Sequence, residues 1–104
     1  MKIIDLKNKN VFISGATGDM GIEISKKLAS LGCNLMLNST NQQKLKILSN
    51  SIKTDKNIIK TLVADFNNIK DIEKVVSETL GFFNVDIVIN SAGIFPNLSI
   101  SETT

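Results

Sequence analysis

Val11-Phe12-Ile13-Ser14-Gly15-Ala16-Thr17-Gly18-Asp19-Met20-Gly21 decides the fold. Three apolar residues in a row read as a short buried strand, and the glycines that follow, spaced Gly-x-x-Gly-x-x-Gly, read as a tight turn. Beyond the turn, Met20, Ile24, Leu28 and Leu31 recur at helical spacing until Gly32 stops the helix. A glycine turn that opens a helix presents backbone N–H groups and the positive helix end to an anion such as a pyrophosphate. Gly15 permits the sharp turn, Gly18 lets a diphosphate approach the backbone, and Gly21 lets the helix pack close to the strand. Thr17, Asp19 and Met20 fill the rest of this expected binding turn. There is no Gly-x-x-x-x-Gly-Lys-Ser/Thr run, which disfavours a triphosphate-binding loop.

Outward from this stretch, short apolar runs alternate with amphipathic helical segments. Leu35-Met36-Leu37 reads as a second buried strand, and Leu45, Leu48 and Ile52 mark a helix beginning near Asn41. Ile58 to Ala64 reads as a third strand. Ile72, Val75, Val76 and Leu80 mark a third helix, and Val85-Asp86-Ile87-Val88-Ile89 a fourth strand. Strict alternation, with strands apolar on both faces, predicts an α/β fold: a parallel sheet covered by helices. Right-handed crossovers give a Rossmann-type doubly wound sheet of about four strands, order 3-2-1-4. The whole chain, residues 1–104, is expected to be one domain.

Composition narrows the chemistry. The chain is 42% hydrophobic and 21% charged with a net charge of +2, as in folded globular proteins rather than disordered ones. The lysines are scattered, so no surface is expected to track a nucleic acid. There is no His, Tyr or Trp and only one Cys. That excludes His-based triads, His/Cys metal sites and disulfides within the chain. The single Cys and a short apolar start lead us to expect a cytoplasmic protein with no membrane span. Cys33, at the start of the second strand with no His to activate it, is expected to be a buried structural thiol.

In the Rossmann fingerprint an acidic residue at the end of the second strand binds the ribose hydroxyls. Asn38-Ser39-Thr40-Asn41 stands there instead, and no Asp or Glu lies between Glu23 and Asp55. A carboxylate repels the 2′-phosphate of NADP, whereas the small donors Ser39 and Thr40 do not, and Lys44 adds a positive charge one turn on. The expectation leans towards NADP over NAD. The competing reading is that these four residues only cap the second helix.

SGATGDMG, VADFNN and VIVINSAG, in this order and spacing, resemble the short-chain dehydrogenase/reductase family over nearly the whole chain. The resemblance implies that Asp65, followed by Phe66, contacts the adenine. It also implies that Asn90-Ser91-Ala92-Gly93 matches the family's Asn-Asn-Ala-Gly motif, with Asn90, Ala92 and Gly93 beside the cofactor. The activity it implies is hydride transfer between NAD(P) and a carbonyl or alcohol substrate, as in a ketoreductase. Two departures stand out. Compact members carry Gly where this chain has Asp19, which places a negative charge near the pyrophosphate. The catalytic Ser and the Tyr-x-x-x-Lys pair that this resemblance implies fall beyond residue 104, so no catalytic residue is assigned and the chain alone is expected to be inactive.

Three organisations compete. A reductase lacking its C-terminal half predicts apolar surface along the outer edge of the fourth strand, exposing Val85, Ile87 and Ile89 backbone groups, with self-association as the outcome. A non-catalytic NAD(P)-binding or regulatory module predicts a polar, finished end. A receiver-like signalling domain with Asp65 as phosphoacceptor wants an acidic pair where this chain has its glycine turn. Ser101 to Glu102 resembles a helix start, and Phe82 and Phe83 are expected as core plugs.

Overall fold

The alternation of apolar runs and helical segments resolves into eight elements in the computed structural model, which describes residues 6–65, 67–82, 84–91 and 100–102. They are β1 (Asn10–Ser14), α1 (Asp19–Ser30), β2 (Asn34–Ser39), α2 (Gln42–Ile52), β3 (Ile59–Val63), α3 (Ile69–Phe82), β4 (Ile87–Asn90) and β5 (Ile100–Glu102). The sheet order is β3-β2-β1-β4-β5. The first four strands are parallel, in the expected order 3-2-1-4. The chain walks from β1 outward to β3, then crosses back to place β4 on the other side of β1.

Period-two alternation sorts the core onto two faces. Val11, Ile13, Leu35, Leu37 and Ile89 point to one face, where Ala29 of α1 and Leu45, Leu48 and Ile52 of α2 cover them. Phe12, Met36 and Leu62 point to the other, against Val75 of α3. The second face is the less filled. A cavity of about 440 Å³ separates α3 from the sheet, lined by Phe12, Val75, Val76, Thr79, Val85 and Val88.

Helix α1 packs differently from its apolar periodicity. Met20 is 50% exposed and Leu31 43% exposed, while the buried positions are Gly21, Ser25 and Ala29. Ile24 and Leu28 flank that line, packed against the core but only partly buried. Small residues face the sheet because the glycine turn brings the helix too close for larger ones. Ser25 turns its hydroxyl back to the Gly21 carbonyl at 2.7 Å, so its burial leaves no polar atom unpaired. Likewise, of the three expected apolar positions of α3 whose side chains are described, Val75 is buried while Ile72 and Val76 are 41% and 52% exposed; the Leu80 side chain lies outside the described residues. Strand β3 is not apolar on both faces either, because as the sheet's outer edge it exposes Lys60, Thr61 and Val63.

The edge of β4 is also not open. β5 pairs with it antiparallel, Ile87 opposite Glu102, Val88 opposite Ser101 and Ile89 opposite Ile100. Ser101 and Glu102 therefore belong to a strand rather than a helix start. A bare strand edge carries unpaired N–H and C=O groups, and a short antiparallel partner satisfies part of it. Phe83 and the Phe82 side chain lie outside the described residues.

The remaining boundaries follow local chemistry. Asn41 caps α2, its Oδ1 accepting the Lys44 N–H at 3.0 Å. Gly32, at φ +86°, ends α1 with its N–H on the Ala29 carbonyl, as a left-handed C-terminal glycine does. Cys33 is fully buried, with Sγ 3.4 Å from the Leu6 carbonyl oxygen, and burial pushes its thiol pKa up. At the amino ends of the strands, Asp86 Oδ2 accepts the Asn10 N–H at 2.8 Å, and Asn10 Oδ1 accepts from the Asn34 amide at 3.0 Å.

Candidate functional site

The carboxyl ends of β1 and β4 meet where the sheet order reverses, the place where open α/β sheets bind ligands. Gly15 leaves β1 at φ +65°, in the left-handed region that favours glycine. The chain then closes a tight turn, with the Gly18 N–H donating to the Gly15 carbonyl at 3.2 Å. Gly18 forms the N-cap of α1, and no side chain caps the helix. The first N–H groups of a helix have no intrahelical partner, so those of Asp19, Met20 and Gly21 face the mouth of the turn.

Gly21 is where close packing is absolute. A Cβ there would lie 2.8 Å from the Cα and carbonyl carbon of Ala16, with the Gly15 carbonyl oxygen nearer still. All are backbone atoms that cannot step aside. Gly18 differs: its nearest neighbour for a Cβ is the Gly15 oxygen at 3.5 Å, an ordinary contact. A methyl group at Gly18 would fit without displacing the protein. A backbone cradle with an uncapped helix end and room at Gly18 fits a diphosphate.

The turn is held by β4. Ser14 Oγ donates to Asn90 Oδ1 at 2.9 Å across the β1–β4 pair. Ser91 Oγ lies 2.6 Å from the Ser14 carbonyl oxygen and 3.1 Å from that of Gly15. Ser14 and Ser91 are therefore structural partners of the turn, and sequence reasoning did not single them out as site residues. The available signal was a small hydroxyl residue at the carboxyl end of each of two adjacent strands. Ala92 and Gly93 lie outside the described residues, as does Phe66.

The end of β2 divides its four residues among separate tasks. Asn38 is buried, and its amide donates to the Leu62 and Ala64 carbonyls at 3.1 and 3.3 Å. Ser39 is buried, its Oγ 2.6 Å from Thr17 Oγ1 and accepting the Asn41 N–H at 3.1 Å. Asn41 caps α2 through its side chain, whereas Thr40 and Lys44 are exposed. Only Asn41 is a simple cap. Ser39 joins the glycine turn to β2.

Asp65 is exposed just past the end of β3. Its Oδ1 accepts the Asn67 N–H at 2.9 Å, and its own N–H donates to Asp71 Oδ2 at 2.8 Å. The structure thus brings Gly15, Thr17, Gly18, Asp19, Met20, Gly21, Ser39 and Asn90 around one mouth, with Thr40 and Asp65 on the loops that follow β2 and β3. No cluster of His, Cys, Asp and Glu able to hold a metal occurs among the described residues, and none of their helices is long and apolar enough to cross a membrane.

Known proteins match this architecture closely. The family model described as short chain dehydrogenase matches residues 9–104. An uncharacterized oxidoreductase of Staphylococcus epidermidis is 33% identical over 88 residues, 85% of this chain and 37% of that protein. A 3-oxoacyl-(acyl-carrier-protein) reductase of Rickettsia typhi is 34% identical over 92 residues, 88% of this chain and 36% of the reductase. Among solved structures, a short-chain dehydrogenase/reductase mutant of Serratia marcescens superposes with a TM-score of 0.78 at 23% identity, covering 88% of this chain and 38% of its own. The chain thus spans well under half the length of the relatives it matches. With the glycine turn, the strand order and nearly the full length in agreement, the chain belongs to the short-chain dehydrogenase family.

Proposed function

We propose that this chain is the cofactor-binding portion of an NAD(P)-dependent oxidoreductase that transfers hydride between the nicotinamide and a carbonyl or alcohol substrate. The observation that carries the reading is the glycine cradle, in which Gly21 sits against the backbone of Gly15 and Ala16 beneath an uncapped helix end. When bound, the dinucleotide supplies the hydride chemistry. The protein's part is to hold the diphosphate at the N-terminus of α1, with Gly15, Gly18 and the first-turn N–H groups. Asp65 lies where the adenine is expected, and Asn90 steadies the turn from β4.

The chain contains no Tyr, the residue that serves this family as general acid/base, so on its own it binds cofactor without turnover. NADP is favoured over NAD. The support is that no carboxylate stands at the end of β2, while Thr40 and Lys44 are exposed there to meet a 2′-phosphate. The protein works in the cytoplasm on small molecules, and its half-covered second sheet face leads it to self-associate. Titrating the purified chain with NADP and NAD, then assaying NADPH oxidation against a panel of ketones, tests the reading. Binding without turnover is expected; sustained turnover above a blank would sink the claim of inactivity.

A further inference from the structure

Two hydroxyl groups 2.6 Å apart share a single hydrogen bond, and either Thr17 Oγ1 or Ser39 Oγ could supply its proton. The surroundings decide. A hydroxyl has one proton and two lone pairs. Ser39 Oγ already accepts the Asn41 N–H at 3.1 Å and makes no further hydrogen bond among the described residues. If Thr17 were the donor, Ser39 would accept twice and its own proton would be stranded in a residue only 7% exposed. A buried donor without an acceptor carries the full cost of desolvation. If Ser39 is the donor, its proton is satisfied and Thr17 keeps its own. Thr17 is half-buried in the glycine turn, where a group from outside can accept that proton.

We infer that Ser39 is a positioning residue for Thr17 and not a ligand of the ribose or its 2′-phosphate. Resting on the dinucleotide reading above, the inference gives a one-way chain of donors: Asn41 N–H to Ser39 Oγ, Ser39 O–H to Thr17 Oγ1, and Thr17 O–H to a phosphate oxygen. Each link polarises the next in the same direction, and the last ends on an acceptor that carries only lone pairs. The chain begins at the N-cap of α2 and ends at the N-terminus of α1, whose positive end favours an anion at its outlet. Ser39 then has no proton to offer a 2′-phosphate. Discrimination between NAD and NADP falls to other groups at the end of β2, and Ser39 serves both cofactors equally.

Calorimetric titration of the full chain with NAD and with NADP tests this, with thermal unfolding followed in parallel. Ser39→Ala is expected to weaken both cofactors by the same factor, about tenfold or more, since a hydrogen bond to a charged group is lost or misdirected. Thr17→Val is expected to do the same, and the double variant to be no weaker than Thr17→Val alone. Ser39→Thr, which keeps the hydroxyl, is expected to restore affinity. A loss confined to NADP, or losses that add in the double variant, would overturn the inference and leave the cofactor site standing. A fall in melting temperature at unchanged affinity would reduce Ser39 to a structural part and overturn it too. Failure of the unaltered chain to bind either cofactor would instead overturn the dinucleotide reading itself. One measurement needs no variant: proton NMR of the unliganded chain should show a slowly exchanging hydroxyl on Ser39 and a fast one on Thr17. The reverse assignment contradicts the proposed direction, whatever the variants do.

Discussion

Gly21 lies directly against Ala16: a Cβ on the glycine would stand 2.8 Å from both the Cα and the carbonyl carbon of Ala16. The first helix and the strand–turn that launches it are thus in backbone contact. A single methyl group at this point has to push α1 off the sheet. Gly21→Ala is expected to destabilise the fold by roughly 1–3 kcal/mol, the usual range for overpacking a filled interior. Gly21→Val should do more. Urea unfolding measures it, and an unchanged midpoint for either variant would refute the close approach.

Gly18→Ala provides the contrast. A Cβ there meets only the Gly15 oxygen, at 3.5 Å, so stability should change by less than about 1 kcal/mol, mostly through helix-cap preference. Cofactor affinity is nevertheless expected to fall, since on the proposed reading the diphosphate lies over Gly18. Equal effects of Gly18→Ala on folding and binding would mean that the turn does not open towards a diphosphate.

Asp19 is the acidic residue in the first turn of α1, beside the N–H groups expected to meet phosphate. Its charge favours the helix dipole and opposes a second anion. Asp19→Asn is expected to cost the fold about 0.3–1 kcal/mol while tightening dinucleotide binding several-fold at low salt. The gain should shrink as ionic strength rises and screens the exposed charge. Weaker binding by Asp19→Asn would show that the carboxylate helps the ligand.

Cys33 reports on the core. Burial holds its thiol above the ordinary value of 9.0, so the folded chain keeps a proton that the unfolded chain releases. The stability this contributes is whole below pH 9 and declines as pH rises beyond it. Cys33→Ala should flatten that alkaline decline. With the thiol fully buried, reaction with a thiol reagent at neutral pH should proceed only as fast as the chain opens. Fast labelling of the native protein would contradict the burial of Cys33 against Leu6.

The strand order, the turn and the start of α2 near Asn41 were legible because each rests on local chemistry: apolar runs, glycine spacing and helical periodicity. The face of α1 was not. Periodicity selected Met20 and Leu31, yet the buried line runs through Gly21, Ser25 and Ala29, because proximity of two backbones outweighs hydrophobicity where there is no room for side chains. Ser14 and Ser91 were overlooked for a related reason, since their value lies in carbonyls brought together only by the β1–β4 pairing. The open edge expected at β4 failed through β5, whose Ser101–Glu102 segment carries no strong strand signal. Removal of residues 100–104 should expose the β4 backbone and raise concentration-dependent association in sedimentation.

The most direct test of the account is isothermal titration of the purified chain with NADP and NAD, paired with thermal unfolding at saturating cofactor. Binding to the folded state alone raises stability by mass action, by about 2.7 kcal/mol when ligand stands at a hundred times Kd. Saturable one-to-one binding is expected, with an upward shift in melting temperature with both cofactors and abolition of both signals by Gly21→Val. No heat and no shift with either dinucleotide at millimolar concentration, in a chain that unfolds cooperatively, would contradict it.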